Sequence, residues 1–449
     1  MHKKKSIKLM PTQIIALTFA VIILVGALLL TLPAASRTGR SNGFLTALFT
    51  STSATCVTGL VMGDTCSLWN GFGQIVIITL IEIGGLGFMS AASLVIFVLR
   101  KKVGLRQRMV IAQALSVNEM DGVVRLQKWV LLGSLVIQLA GAVILFCRFI
   151  PEYTFRQSLK WSIFHSISAF CNAGFDIFGE IAANDSMITF NNDPIICLTL
   201  MALVVVGGLG FFVWEEIATK RKFKNFSVYT KLVLLATGTL LLAGTVLFAV
   251  LEWTNPATIG TMPTWQKLLN AAFQSVTVRT AGFAGVDQAA LTDGSKALSI
   301  FLMLIGGSSG STAGGLKTVT VLTVFLFVIA RARGRRRVNV FKRTIPDEKI
   351  MDALTIIAIV VGLAFFGAVF ISATNPVGFT DALYETASAI ATVGLTAGLT
   401  PTLNVVSKIL LIVFMYFGRV GVLTISLGFL MGNKADDRFR YADTNLLIG

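Results

Sequence analysis

Long apolar segments recur along the whole chain and alternate with short segments rich in Lys and Arg. Each apolar segment has about 20 residues, the length of an α-helix that crosses the hydrocarbon core of a bilayer. The pattern predicts four pairs of long helices. We expect the first helix of each pair over residues 12–32, 127–150, 230–252 and 350–373, and the second over 70–99, 194–218, 297–330 and 404–431.

A shorter apolar segment lies between the two helices of each pair and ends in a loop of small residues. All four segments share an aromatic residue, a Ser or Thr two positions later, and a Gly followed by Leu or Phe. In the third segment the aromatic residue and the Gly are one position closer than in the others, so the register before Gly282 stays open. The segments run from Phe49 to Gly59, Phe164 to Gly174, Phe273 to Gly282 and Tyr384 to Gly394.

A second glycine pattern follows each loop, beginning at Gly84, Gly207, Gly306 and Gly418. Internal repetition of this kind indicates a fold built from repeated units. We therefore predict four repeats of a helix, a pore loop and a helix. Their limits are 1–105, 106–225, 226–337 with a broken second helix, and 338–449 with a cytoplasmic C-terminus. Close helix packing is the alternative explanation for the glycines at 84–85 and 207–208.

The segments before each loop Gly are too short to span a bilayer, so they predict half-spanning helices that return through a loop. Irregular backbone at membrane depth occurs only where it is buried in protein or faces a water-filled cavity. Four such loops around one axis can replace the hydration shell of a cation with backbone carbonyl oxygens. The expected ion-filter residues are Cys56, Val57, Thr58, Gly59, Cys171, Asn172, Ala173, Gly174, Arg279, Thr280, Ala281, Gly282, Ala391, Thr392, Val393 and Gly394.

Composition supports a membrane protein and argues against a nucleic-acid-binding one. Of 449 residues, 55% are hydrophobic and only 13% are charged, too few charges to cover a soluble protein of this length. The net charge is +16, but the Lys and Arg residues concentrate in short segments between apolar ones. This positive-inside pattern predicts that both termini are cytoplasmic. We interpret the basic cluster at 331–337 as part of this topology signal. Contact with acidic lipid or with a partner is the alternative interpretation.

The sequence offers little for catalysis or for a resident metal. Five cysteines show no paired spacing and there are two histidines, so neither a zinc site nor a disulfide framework is predicted. No nucleophile and base are suggested by any motif. We predict a protein that is not an enzyme and has no tightly bound cofactor, with a transported cation as its substrate.

Two features inside the membrane predict a gate. The second helix of the third repeat contains a Gly/Ser run, and each Gly weakens a helix by about 1 kcal/mol relative to Ala. A phosphate-binding loop is the alternative, although no strand precedes the run. Arg419 lies in an apolar helix, where a charge is expected to be functional. It is either a barrier on the pore axis or a structural residue bound to a backbone carbonyl or to a carboxylate such as Glu82 or Glu385. The predicted gate comprises Gly306, Gly307, Ser308, Ser309, Gly310, Ser311, Thr312, Ala313, Gly314, Gly315, Lys317 and Arg419.

Arg279 is unusual in a filter because its side chain would repel cations. We expect its carbonyl to face the ion while the guanidinium binds the pore-loop scaffold, with Asp287 or Glu252 as candidate partners.

The four loop sequences ending at Gly59, Gly174, Gly282 and Gly394 resemble the degenerate filters of the Trk/Ktr/HKT superfamily of potassium transporters. The resemblance covers nearly the whole chain. Because no extra N-terminal helices are present, it is most similar to the KtrB branch, the membrane subunits of bacterial Ktr systems. The resemblance implies an all-α membrane protein with four pseudo-symmetric helix–pore-loop–helix repeats around one central pore and eight full transmembrane spans.

The same resemblance implies potassium uptake across a bacterial cytoplasmic membrane, by a homodimer gated by a cytosolic nucleotide-binding ring (KtrA-like). It also places an intramembrane gating loop at the Gly/Ser run. Within the superfamily, Gly rather than Ser at the position of Gly59 goes with potassium preference, and sodium is a candidate activator. Two alternatives stay open: a sodium or ammonium permease of the same fold, and a broken-helix secondary transporter.

Overall fold

The computed structural model of the chain describes residues 11–87, 123–181 and 186–421. These residues form fifteen α-helices and one two-stranded β-hairpin. The predicted basic segments at both termini, and nearly all of the one at 100–128, lie outside the described residues.

The first helix of each predicted pair is long, apolar and close to its expected limits. Much of the surface of these helices is apolar and exposed, as at Leu242, which is 72% exposed, so their outer faces suit contact with lipid. They are α1 (Pro11–Thr31), α5 (Val123–Phe149), α9 (Val228–Glu252) and α13 (Asp347–Thr374). Within the described residues, these are the four helices long and apolar enough to cross a membrane, and one bent helix pair is a fifth candidate. Eight spans therefore remain a prediction.

A shorter helix follows each first helix and packs against it. The hydroxyl two positions after the aromatic residue donates a hydrogen bond to a carbonyl of the first helix: Ser51 to Ile23 at 2.7 Å, for example, and Thr386 to Ala364 at 3.0 Å. Ser166 and Ser275 make the equivalent bonds. We refer to these four as pore helices: α2 (Phe44–Thr55), α6 (Phe155–Cys171), α10 (Thr264–Thr277) and α14 (Phe379–Ile390).

The second helix of each pair begins at a polar side chain that accepts hydrogen bonds from the first free backbone N–H groups. These capping residues are Asn70, Asp193, Thr292 and Asn404, all of types that favour helix N-termini. The helices are α4 (Gly71–Leu86), α7 (Pro194–Leu209), α11 (Asp293–Leu304) and α15 (Val405–Val420).

One second helix bends sharply where the sequence predicts a continuous helix. Gly210 adopts φ +94°, a conformation that an α-helix cannot contain, and α8 (Phe211–Lys220) leaves it at 94° to α7. The prediction of a continuous helix over 194–218 was therefore wrong. Gly87 and Gly421 have the same positive φ at the ends of α4 and α15, and the rest of the helices predicted over 70–99 and 404–431 lies outside the described residues.

The helix predicted over 297–330 is interrupted. Helix α11 ends at Leu304 and the next helix, α12 (Thr318–Ala332), begins only after a loop. The remaining elements are α3 (Thr65–Leu68) and strands β1 (Asn339–Val340) and β2 (Arg343–Thr344), which pair antiparallel.

Candidate functional site

Each pore helix ends at a loop with the same unusual backbone. The loop glycines at 59, 174, 282 and 394 have φ between +66° and +97°. The residue two positions earlier also has positive φ, although it is not Gly: Val57, Asn172, Thr280 and Thr392. Left-handed backbone at such residues is uncommon and strained, so four equivalent cases indicate a functional constraint. Alternation between left-handed and other conformations turns successive carbonyl groups toward the same side.

The four loops form a closed ring. A Cβ atom placed on Gly59 would meet the carbonyl oxygen of Ala173, and one on Gly174 would meet that of Ala281. The next contacts run from Gly282 to the Val393 carbonyl, and from Gly394 back to the Thr58 carbonyl. Each loop Gly therefore lies against the loop of the next repeat, with no room for a side chain. The order of the repeats around the ring is their order in the chain.

A hydroxyl group within each pore helix holds the loop that follows. Ser53 and Ser388 accept a hydrogen bond from the N–H of the loop Gly at 3.0 Å. The equivalent Ser168 and Thr277 donate to the carbonyl of the residue after the Gly at 2.7 Å. The pore helices point their C-termini, the negative end of the helix dipole, at the ring.

The same contacts align the third loop with the others. In every repeat, the residue before the Gly donates its N–H to the carbonyl of the hydroxyl residue, as Ala281 does to Thr277 and Thr58 does to Ser53. Thr280 shares its positive φ with Val57. The missing residue therefore falls between Thr277 and Arg279, which places Arg279 at the position of Cys56.

The loop at 305–317 folds back on itself beneath this ring. Ile305 and Leu316 form a parallel β-bridge, and the Gly306 N–H donates to the Leu316 carbonyl at 2.9 Å. The tip binds the second repeat: the N–H of Thr312 donates to the Gly207 carbonyl at 3.2 Å, and its Oγ1 donates to the Phe170 carbonyl at 3.0 Å. Because a helix precedes this loop, the alternative of a phosphate-binding loop finds no support.

Glycines let the loop lie close to the filter and to the neighbouring helices. A Cβ on Gly314 would overlap Oγ1 of Thr392, and one on Gly315 would lie 3.0 Å from the Ala391 carbonyl oxygen. On the other side, the N–H of Phe211 donates to the Gly310 carbonyl at 2.8 Å. The loop at 306–317 thus contacts the fourth predicted filter loop at Ala391 and Thr392, and the second pore helix at Phe170.

Arg419 joins this loop to the first repeat. Its guanidinium donates to the carbonyl oxygens of Thr312 and Gly84, and to that of Gly85 at 2.9 Å. These are backbone partners, whereas Glu82 and Glu385 accept hydrogen bonds from other groups. Arg419 is thus bound to backbone carbonyls, as the structural alternative expects, and it also contacts the loop through Thr312.

The two other cations near the ring also bind backbone. Lys317 donates from Nζ to the Ala313 carbonyl at 2.9 Å, which closes the base of the loop. Arg279 donates to the Gly306 carbonyl and to Thr318, both at 3.2 Å. The prediction that Arg279 binds Asp287 or Glu252 was therefore wrong. A guanidinium that turns toward the loop leaves the ring free of its charge.

Comparison with known proteins identifies the family. The family model described as TrkH, cation transport protein, matches residues 3–441. The chain belongs to the TrkH family. A potassium/sodium uptake protein, NtpJ, of Enterococcus hirae is 40% identical over all of this chain and 99% of its own length. The Ktr system potassium uptake protein B of Bacillus subtilis is 39% identical over 99% of this chain and 98% of its own.

The fold agrees with this family. The crystal structure of the potassium transporter TrkH from Vibrio parahaemolyticus superposes with a TM-score of 0.74, over 95% of this chain and 86% of that one, at 19% identity. Membership of a cation-transporter family agrees with the resemblance found in the loops, and the apolar helices fit a multi-pass membrane protein. The predicted repeat limits are not tested by these matches.

In this TrkH-family chain, a cavity of about 540 Å³ opens above the ring and all four loop glycines line it. Its acidic residues are Asp64, Asp176 and Asp287. Burial and the neighbouring Asp64 carboxylate raise the pKa of Asp176 to about 6, against a hydrogen bond from Ser186 that lowers it. Negative charge in such a cavity attracts cations.

Sequence reasoning missed residues that hold the loops from behind. Glu82 on α4 accepts a hydrogen bond from the thiol of Cys171 at 3.3 Å and from Gln138 at 3.0 Å. His165 accepts from the Ile177 N–H at 3.2 Å and stacks on Phe178 with ring centroids 3.7 Å apart. A buried polar residue in a membrane helix signals such a role, but the sequence does not show which loop it reaches.

Proposed function

We propose that the protein takes up potassium across a bacterial cytoplasmic membrane through the four-loop ring, which acts as a selectivity filter. The observation that carries the proposal is the cyclic contact of each loop Gly with a carbonyl of the next loop. Carbonyl oxygens from four sides can replace the water around a cation, and the absence of side chains at the glycines leaves the path open. Relatives named as potassium uptake proteins support potassium as the ion.

The architecture that follows from this proposal has four pseudo-symmetric repeats around one pore. Each repeat contributes a first helix, a pore helix, a loop and a second helix to the equivalent contacts described above. The first helices and the second helices together would make eight spans. The positive-inside rule then places both termini in the cytoplasm.

The loop at 305–317 and Arg419 are proposed to gate the pore. The loop lies beneath the ring and is held by backbone hydrogen bonds that can be exchanged for others at little cost. Arg419 adds a positive charge where a cation would leave the filter. In this proposal both obstruct a cation until the gate rearranges during uptake.

A cytosolic nucleotide-binding ring (KtrA-like) and a second copy of the chain are the proposed partners. The support is the similarity to a protein of a Ktr system. Such a ring would act on the protein from the cytoplasmic side.

Sodium is a second candidate ion. A relative at 40% identity is named for potassium and sodium uptake, although Gly59 favours potassium through the resemblance of the loops. Sodium would act either as a transported ion or as an activator.

The test is complementation of a bacterial strain that lacks potassium uptake, with and without a cytosolic Ktr subunit. We expect growth on low potassium only when the chain is expressed, and faster uptake when the subunit is present. Failure of the well-expressed chain to restore growth under both conditions would contradict potassium uptake. Transport of sodium or ammonium by the same chain at a rate equal to that of potassium would favour the permease alternative.

A further inference from the structure

A short β-hairpin concentrates positive charge where helix α12 ends. Val338 and Val340 pack with Ala330 of α12 and Ile350 of α13, so the hairpin is fixed to the ends of both helices. Phe341 at its turn is 46% exposed. The hairpin and the segment before it have exposed cations at Arg333, Arg335, Arg336, Arg337, Lys342 and Arg343.

The connection between α8 and α9 lies beside this hairpin. Nζ of Lys231 lies 5.7 Å from the ring centroid of Phe341 and 5.9 Å from that of Phe223, so one ammonium contacts two aromatic rings from different connections. Phe223 is also 46% exposed. Exposed Lys222 and Lys224 flank it. We refer to residues 220–231 and 333–343 together as the basic aromatic surface.

Acidic side chains of the described residues neutralise little of the charge of this surface. Among the described residues, the ion pair that involves it joins Lys220 to Glu216, and Asp347 and Glu348 lie at the start of α13 nearby. No other ion pair of this surface is formed within the residues that the structure describes, and its remaining cations can bind an external anion. A surface with this excess of positive charge has an anionic ligand as its natural partner.

We infer that the basic aromatic surface binds the headgroups of anionic phospholipids in the cytoplasmic leaflet. It lies where α9 begins and α12 ends, at the boundary between apolar helices and water. Exposed Phe side chains next to Lys and Arg are typical of surfaces that enter the headgroup region. The positive-inside rule assigns this boundary to the cytoplasmic side.

The test measures binding of phosphatidylglycerol to the full-length purified protein in detergent, by the shift of its thermal unfolding midpoint as lipid is added. Phosphatidylcholine and glycerol phosphate serve as probes for an uncharged lipid surface and for a free phosphate. The variant Arg336→Gln/Arg337→Gln removes two cations of the surface. The matched control, Arg40→Gln/Arg156→Gln, removes two exposed cations outside it. Phe341→Ser tests the aromatic contribution without changing charge.

We expect phosphatidylglycerol to raise the unfolding midpoint of the wild-type protein and of the control, with little effect of either probe. In the double variant, the apparent affinity should fall about 30-fold, because each cation near an anionic surface contributes about a factor of five. Phe341→Ser should weaken binding as well. Equal affinity of the double variant and the control would overturn the inference and leave an acidic protein as the partner. A response to glycerol phosphate as large as that to the lipid would overturn it too.

Discussion

Arg419 donates a hydrogen bond of 2.9 Å to the carbonyl oxygen of Gly85, a residue 334 positions earlier in the chain. The same guanidinium binds the carbonyl of Thr312, so the fourth repeat, the first repeat and the broken helix of the third meet at one side chain. Under the proposed function, a cation that leaves the ring of loops encounters this junction.

Replacing Arg419 with Ala should raise the maximal rate of potassium uptake. A fixed charge at 4–8 Å from the ion path in a medium of effective dielectric ~20 opposes a cation by a few kcal/mol. Its loss should increase conduction by roughly one to three decades. Potassium flux into proteoliposomes, measured with the thermal stability of the same preparation, checks this.

Arg419→Lys separates the charge from the hydrogen bonds. Lys keeps the positive charge but cannot reproduce the planar set of donors that joins Thr312, Gly84 and Gly85. If the charge limits flux, Lys should behave as the wild type does. If the junction holds the loop closed, Lys should resemble Ala. Lower uptake together with lower stability in both variants would favour a purely structural role and contradict the gate.

Gly59→Ser should lower the preference for potassium over sodium. Gly59 has φ +97°, a conformation that costs other residues about 1–2 kcal/mol, and its Cβ would press on the Ala173 carbonyl. We expect the ratio of potassium to sodium uptake to fall about tenfold, which corresponds to ~1.4 kcal/mol.

Gly39→Ser is the matched control for that change. Gly39 has φ +70° but nothing within 4 Å of a Cβ, so it carries the backbone strain without the contact. Its uptake ratio should stay at the wild-type value. Unchanged ion preference in Gly59→Ser, measured by competition between the two ions, would mean that the ring at this level does not select.

Deletion of Ser308 to Thr312 should increase potassium uptake and weaken its dependence on a cytosolic subunit. The deletion removes the hydrogen bonds of the loop tip to Gly207 and Phe170. A Cβ on Gly307 would already touch Ala313, so the chain can close over the gap without stretching. Uptake rates with and without the subunit provide the measurement. Abolished uptake in protein that inserts normally would show that the segment is a structural linker.

Uptake at low potassium should rise between pH 5 and pH 7. The pKa of Asp176 is raised to about 6, so its carboxylate is mostly neutral below that pH and charged above it. The additional negative charge should concentrate cations in the outer cavity. Because the folded state binds this proton more tightly than the unfolded state, the contribution of Asp176 to stability should fall as pH rises from about 4 to about 6.

Asp176→Asn should remove this pH dependence. The uptake rate of the variant should stay at the value that the wild type has at low pH, where Asp176 is neutral. The comparison uses initial uptake rates at a potassium concentration below saturation, where capture of the ion limits the rate. An equally steep rise in the Asn variant would assign the titration to another group.

A cysteine at position 335 should react with a membrane-impermeant reagent only from the cytoplasmic side. Cys147 is the exposed one of the five native cysteines, so Arg335→Cys is made in a Cys147→Ser background. Arg40→Cys, placed by the topology on the opposite side, should label in intact cells. Labelling of position 335 in intact cells would reverse the proposed orientation.

Periodicity and repetition in the sequence predicted the parts of the fold that repeat regularly. The first helices begin and end within a few residues of their expected positions, since long apolar segments leave little choice in a membrane. The loop sequences predicted which residues come together at the ring. The break after Leu304 was also foreseeable, because no stable helix contains so many glycines and serines.

The bend at Gly210 was not foreseeable from the sequence. A single Gly inside an apolar segment is tolerated in a helix, and only the contact of this backbone with the loop at 309–310 decides the conformation. The close packing of Gly84 and Gly207 could not be predicted from the sequence either. A Cβ on Gly84 would overlap the carbonyl oxygen of Thr55, and one on Gly207 would overlap that of Phe170, both near the end of a pore helix. Their role in close packing depends on tertiary contacts. The hydrogen bond from Arg279 to the Gly306 carbonyl also depends on tertiary contacts, so the sequence could not predict it.

The closed ring of carbonyls has a genetic consequence. In a pore assembled from four identical subunits, every substitution is imposed on all four sides at once. Here one codon alters one quarter of the ring, because Thr58, Ala173, Ala281 and Val393 are encoded separately. If the ring selects the ion as proposed, ion preference can therefore be changed in small steps, one side at a time.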